Sequence, residues 1–234
     1  MKKNLKVLFL LFAASVLIMA CGLAGPDAGD APAPADVAES VAEEEADAPA
    51  EEAAEPTPVP EMDLSDLILT PEDFPDVAFS QVSLEEMGMS VDDLNSEDFT
   101  VESFFALLEP TNFEMVMGFT TQLNSLLQRT GFDLTLNQPE TLLEAFLGGM
   151  GDMGASDMQE LPEFEDTIGD SSAGMSVVAD MEGMGMRMDV VVFRRGSIGS
   201  FVITMYLDGQ EPPVSLMDVA TKFDAKIESF LASQ

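Results

Sequence analysis

The chain has 234 residues, 44 Asp+Glu against 9 Lys+Arg, no His, no Trp and a single Cys, with a formal net charge of −35. So acidic a surface repels polyphosphate and anionic lipid, which removes nucleic acid as a partner, because basic side chains supply most of nucleic-acid affinity. The missing His takes away the commonest general base and the commonest zinc or copper ligand.

Met1 to Lys6 carries three lysines and no acid, and Val7 to Met19 is an almost unbroken apolar run. This is the charged start and apolar core of a secretory signal, too short to span a bilayer comfortably. It closes on Ile18-Met19-Ala20-Cys21-Gly22, which resembles the lipobox cut by the lipoprotein signal peptidase of bacteria. Residues 1–20 are then the signal peptide, and Cys21 becomes the lipidated first residue of the mature chain, its thiol carrying diacylglyceryl, with a third, palmitate-type chain if the new amine is also acylated. Several acyl chains hold a protein on a membrane where one binds only marginally. With Cys21 consumed, no disulfide or thiol chemistry is left. The competing reading is an ordinary secreted protein, but a lone cysteine directly after an apolar signal core speaks against it.

From Gly22 to Met62 the chain is Ala, Pro, Glu and Asp, with twelve acids, no base and no aromatic. Charge repulsion and the lack of apolar surface keep such a segment from packing, and its prolines favour extended conformations. Residues 21–62 therefore read as anchor and tether, and residues 63–234 as a single domain long enough to bury its own core. In that domain six bases face 32 acids, a net charge of −26.

The predicted elements follow in chain order. Leu69-Thr70-Pro71-Glu72-Asp73-Phe74-Pro75 opens the domain as a turn, and Asp76 to Ser83 reads as a short strand. Ser83-x-x-Glu86 and Ser90-x-x-Asp93 are capping boxes for helical turns. Phe104 to Leu108 is apolar and fits either type. Over Asn112 to Arg129, Phe113, Met115, Met117 and Phe119 alternate as in a strand, whereas Phe113, Met117, Leu123 and Leu127 fit a helix. The spacing favours a strand through Thr120 followed by a short helix, although Thr111 with Glu114 offers a competing capping box and Gly131 a helix end. Pro139 to Leu147 is a short helix stopped by Gly148-Gly149. Met150 to Asp170 reads as a long acidic loop.

Three alternating runs come next: Met175 to Met181, Met186 to Val192, and Phe201 to Leu207. Gly-containing turns separate them, which predicts a three-stranded antiparallel meander. After Pro212-Pro213, Ser215-x-x-Asp218 caps a last helix whose apolar stripe is Leu216, Val219, Ala220, Phe223, Ile227, Phe230 and Leu231. The fold class is α+β, with the C-terminal helix and shorter helices packed on an antiparallel sheet.

Leu69-Thr70-Pro71-Glu72-Asp73, Gly118-Phe119-Thr120, Phe193-Arg194-Arg195-Gly196 and Ala220 with Phe223-Asp224-Ala225-Lys226-Ile227 resemble a diffuse group of uncharacterised bacterial surface lipoproteins. More distantly, the stretch from about Leu69 to Leu231 is similar to PsbP-like α+β domains. The resemblance implies a compact, non-catalytic assembly or accessory subunit and carries over no catalytic residue.

Three constellations could hold chemistry. Met150, Met153, Met158, Met181, Met184, Met186 and Met188 present thioethers, which favour Cu(I). Met181, Met186 and Met188 sit at alternating strand positions that require apolar side chains anyway, and none of the seven has a His or Cys companion. Asp152, Asp157, Glu160, Glu163, Glu165, Asp166 and Asp170 could surround calcium, but they lack EF-hand spacing and read better as a solvated loop. Arg187, Arg194 and Arg195 could grip an anion, but in so acidic a chain they serve better as partners of its own carboxylates.

No G-x-S-x-G, S-x-x-K or phosphate-binding loop is present, and no Ser-His-Asp set exists without His. Carboxylate-pair hydrolysis needs only acids, yet no pair stands out among so many. The Trp and Tyr that usually stack on sugar are also missing, apart from Tyr206. The residues thus point to no enzyme, cofactor or metal. They point to a lipoprotein held by Cys21 on the extracytoplasmic side of a cell membrane or outer membrane, with an accessory domain for a protein of the cell envelope. A small-ligand or metal carrier or sensor is the competing class. A deep apolar pocket would favour the carrier, a flat apolar patch the protein partner.

Overall fold

The structure, a computed structural model, describes residues 61–234 apart from 89, 92–93, 96–99, 139–155 and 182. The signal segment, Cys21, the tether up to Pro60, the second half of the Ser90-x-x-Asp93 box and the helix expected over 139–147 lie outside the described residues.

Seven strands form one sheet: β1 (Ser80–Gln81), β2 (Ser103–Glu109), β3 (Glu114–Gln122), β4 (Ser156–Glu160), β5 (Ser171–Met181), β6 (Met184–Arg195) and β7 (Ile198–Leu207). The helices are α1 (Leu84–Met87), α2 (Leu126–Leu136) and α3 (Leu216–Leu231). The strand order is β1-β2-β3-β7-β6-β5-β4, and every neighbouring pair is antiparallel. The fold is α+β, as the residue pattern implies, but the sheet is larger than the expected meander. β5, β6 and β7 make up one half, and the β2–β3 hairpin joins β7 along its other edge, with Met117 opposite Ile203 and Phe119 opposite Phe201.

Period-two alternation sends side chains to two faces, and both faces are covered. On one, Phe105, Leu107, Val116, Val191, Phe193, Ile198 and Val202 meet α3 and the N-terminal segment with Leu64, Leu69 and Phe74. On the other, Met117, Phe119, Met175, Val177, Met188, Val190, Phe201 and Met205 pack with Met87 of α1 and Leu136 of α2. Because both faces are buried, β7 has nine of its ten residues buried, as is usual for a strand with cover on each side.

The C-terminal helix lies where its stripe requires. Ser215 caps it, its hydroxyl accepting the Asp218 amide proton at 3.1 Å, and Leu216, Val219, Ala220, Phe223 and Ile227 are buried. Phe223 meets Phe105 edge-on at 5.1 Å between ring centroids. Burying a ring of this size removes enough apolar surface to be worth roughly 1.5–3 kcal/mol.

Several expectations need correction. Of the Asp76–Ser83 stretch, strand β1 covers Ser80–Gln81, and the Val82 amide adds a bond to Ala106 O at 2.9 Å. Met150 to Asp170 is not a continuous loop. Ser156–Glu160 is edge strand β4 and Pro162–Phe164 a 3-10 turn. An edge strand has one neighbour and needs little hydrophobicity, so Ser-Asp-Met-Gln-Glu carries almost no strand signal. Thr111 with Glu114 is not a capping box, since Glu114 opens β3. The helix that follows is capped instead by Ser125 with Gln128, and it runs through Gly131 to Leu136. Glycine without a left-handed φ does not end a helix when tertiary contacts hold the next turn. Here Phe132 provides such a contact, edge-on to Phe201 at 6.0 Å.

Candidate functional site

Two adjacent rows of the sheet, on the α3 face, bring polar side chains in among the apolar core. One row runs Ser176, Asp189, Thr204, Val116 and Leu107 across β5, β6, β7, β3 and β2. The next places Arg187 opposite Tyr206, and Glu109 opposite Glu114 at the end of the β2–β3 hairpin.

Glu114 is fully buried, and both its carboxyl oxygens lack a hydrogen-bond partner among the described residues. Burial disfavours the charged form and pushes its pKa up to about 7. The Glu109 charge adds to the rise, and the Val214 amide opposes it without reaching hydrogen-bond geometry. Glu109 behaves differently although it faces Glu114 directly. Its oxygens accept the amide protons of Thr111 at 3.0 Å and Asn112 at 2.6 Å. These amides, Asn112 first, hold its carboxyl below the ordinary range. The hairpin turn between the two acids carries Phe113 at φ 56, an exposed residue in a conformation that non-glycine residues seldom adopt.

The neighbouring groups are partly spent. The Tyr206 hydroxyl donates to Asp189 Oδ2 at 2.6 Å, and burial followed by that bond raises its pKa, so the phenol stays protonated. Arg187 donates to Asp208 Oδ1 through Nε at 3.0 Å and to Ser176 Oγ through Nη1 at 2.9 Å. Thr204 Oγ1 and Asp189 Oδ1 are buried without a partner among the described residues. This end of the sheet therefore holds oxygen atoms with unused acceptor capacity and one carboxyl poised to gain or lose a proton near neutral pH. It does not make a hydrolytic carboxylate pair, because Glu109 is occupied by turn amides and Glu114 has no exposed surface.

The residues singled out by sequence fall elsewhere. Met186 and Met188 are buried in the core and Met158 packs against it, while Met184 is half exposed at the β5–β6 hairpin and Met181 is the last residue of β5. Met150, Met153 and Asp152 lie outside the described residues. Asp157 is in β4, and Glu160, Glu163, Glu165 and Asp166 are exposed. Among the described residues no group of three or more His, Cys, Asp or Glu could hold a metal ion.

Arg187, Arg194 and Arg195 all pair with the domain's own acids. Arg187 binds Asp208. Arg194 holds Asp133 through Nε at 2.7 Å and Nη2 at 2.9 Å, and Asp170 through Nη1 at 2.9 Å. Arg195 holds Asp224 through Nε at 2.7 Å and through Nη2. Burial works against the ionised form of Asp133, but its bonds to Arg194 and Ser171 prevail and lower its pKa. These pairs tie α2, α3 and the Asp170 loop to the β6–β7 turn.

Sequence reasoning missed Glu114, Asp189 and Thr204. The one available signal was a charged residue at the head of an alternating strand, and the capping-box reading of Thr111 and Glu114 concealed it. No family model, curated protein or solved structure matches the chain.

Proposed function

We propose that this chain is a lipid-anchored extracytoplasmic protein whose domain acts without catalysis, as an accessory or protein-binding module of the cell envelope. The observation that carries the reading is the only cysteine of the chain, Cys21, placed directly after the apolar run Val7 to Met19 and the small Ala20. Its chemistry leaves a thioether-linked lipid at the head of an acidic tether. Support for the non-catalytic part comes from the occupied state of the arginines and of Glu109. The distant resemblance of the stretch from about Leu69 to Leu231 to PsbP-like accessory domains points the same way.

The test is incorporation of labelled palmitate in the native host. The wild-type chain takes up the label and fractionates with membranes, and Cys21→Ser loses the label while the domain keeps its fold. A wild-type chain without label overturns the anchor. A second reading, a carrier or sensor for a small ligand or metal, is favoured by the unpartnered buried oxygens of Glu114, Thr204 and Asp189. A melting shift with a cation or small polar ligand that disappears in Glu114→Gln would decide for it.

A further inference from the structure

The helix α2 carries its apolar residues on the wrong side for a core. Leu126, Leu127 and Leu134 are 65%, 82% and 46% exposed. At 100° per residue these three fall, with Thr130, in one sector of the helix. Phe132 and Leu136 point inward to the sheet. Single exposed leucines are ordinary on a protein surface, but three along one helix stripe mark a contact surface.

The stripe lies beside the point where the tether enters the fold. The amide of Met62, the residue where the tether joins the fold, donates to Gln122 Oε1 at 3.0 Å. Gln122 ends β3, four residues before Leu126, and Leu123 is held to the β6–β7 turn by its amide bond to Ser197 O at 2.8 Å. The tether root, the exposed leucines and that turn therefore share one end of the domain.

This end also gathers much of the positive charge of a domain of net −26. Three of the mature chain's six bases, Arg129, Arg194 and Arg195, lie here, and the last two engage Asp133, Asp170 and Asp224. We infer that the α2 end of the domain docks on the lipid bilayer that carries the Cys21 anchor, with Leu126, Leu127 and Leu134 in the interfacial layer and Arg129 at phosphate level. This inference rests on the anchor proposed above.

A second copy of the chain is a poorer occupant. Three leucines offer far less than the roughly 800 Å² that each partner of a stable dimer buries. Two such copies also repel one another strongly. Glu61 and Asp63 beside the root favour zwitterionic over strongly anionic lipid.

The chain has no Trp, so a single introduced one reports its own surroundings. L127W and, at the far end of β6, M184W are prepared as full-length proteins and reconstituted in phosphatidylcholine vesicles with and without bromine on the acyl chains. Bromine quenches emission from L127W and leaves M184W unchanged if the α2 end is docked. An unquenched L127W, a blue-shifted but unquenched L127W, or equal quenching of both variants overturns the docking. The intact mass of each preparation reads acylation at Cys21 separately. Acylated protein without quenching sinks the docking alone, and unacylated protein without quenching sinks the anchor with it.

Discussion

The carboxyl of Glu114 gives the domain a pH dependence near neutrality. Burial lifts it from an ordinary 4.5 to about 7, so the folded chain holds this proton more tightly than the unfolded chain. Stability contributed by the group is then fully present below about 4.5 and lost as pH rises through about 7, beyond which it levels off. The interval corresponds to at most about 3 kcal/mol, and screening brings the observable part to about 2 kcal/mol. Carboxylates with lowered pKa, such as Asp73, Glu109 and Asp133, act in the opposite sense and only on the acid side of the ordinary carboxylate range. The chain has no His, the one residue type that ordinarily titrates between pH 5 and 8. Urea unfolding of wild type at pH 5 and pH 8 should therefore show a loss of about 2 kcal/mol at the higher pH. In Glu114→Gln the loss should vanish, leaving the variant the more stable form at pH 8. Wild-type stability that is flat or rising from pH 5 to 8, or a fall that persists in the Gln variant, refutes the reasoning.

Phe223→Ala leaves a cavity among Phe105, Phe193 and Ile227, and should cost roughly 3–5 kcal/mol by chemical denaturation. A midpoint that barely moves would mean α3 is not a core element. Lys226→Ala, at a position the helix stripe alone assigns to solvent with a cost under about half a kcal/mol, should instead cost about 1 kcal/mol. Its ammonium donates to Ile68 O at 3.0 Å and Asp73 Oδ2 at 2.8 Å, so a cost within error of zero refutes that clamp. Gly118→Ala would place a methyl 2.5 Å from two ring carbons of Phe105, which is buried on α3 and cannot swing away. Roughly 1–3 kcal/mol of destabilisation is expected from overpacking, read from the melting midpoint, and a neutral result would show that the ring moves.

Local chemistry suffices for some of this architecture. The meander, the Ser215 cap and the α3 stripe are written in alternation and helix spacing, because each residue's fate there depends on neighbours two to four positions away. The strand through Thr120 and the helix after it are legible for the same reason, since alternation stops where Ser125 begins a cap. Cys21 and its surroundings are likewise a matter of local pattern. Pairing across long separations is not local. That β3 lies beside β7, and not beside β5 or at an edge, is decided by packing both sheet faces at once. The same packing buries Glu114 without a partner, sets Glu109 against it, and brings Lys226 to Asp73 across 153 positions. The carboxyl that titrates near neutrality, the arginine pairs and the outward leucines of α2 all depend on which surfaces remain after the core is filled, and a one-dimensional pattern carries no record of that remainder.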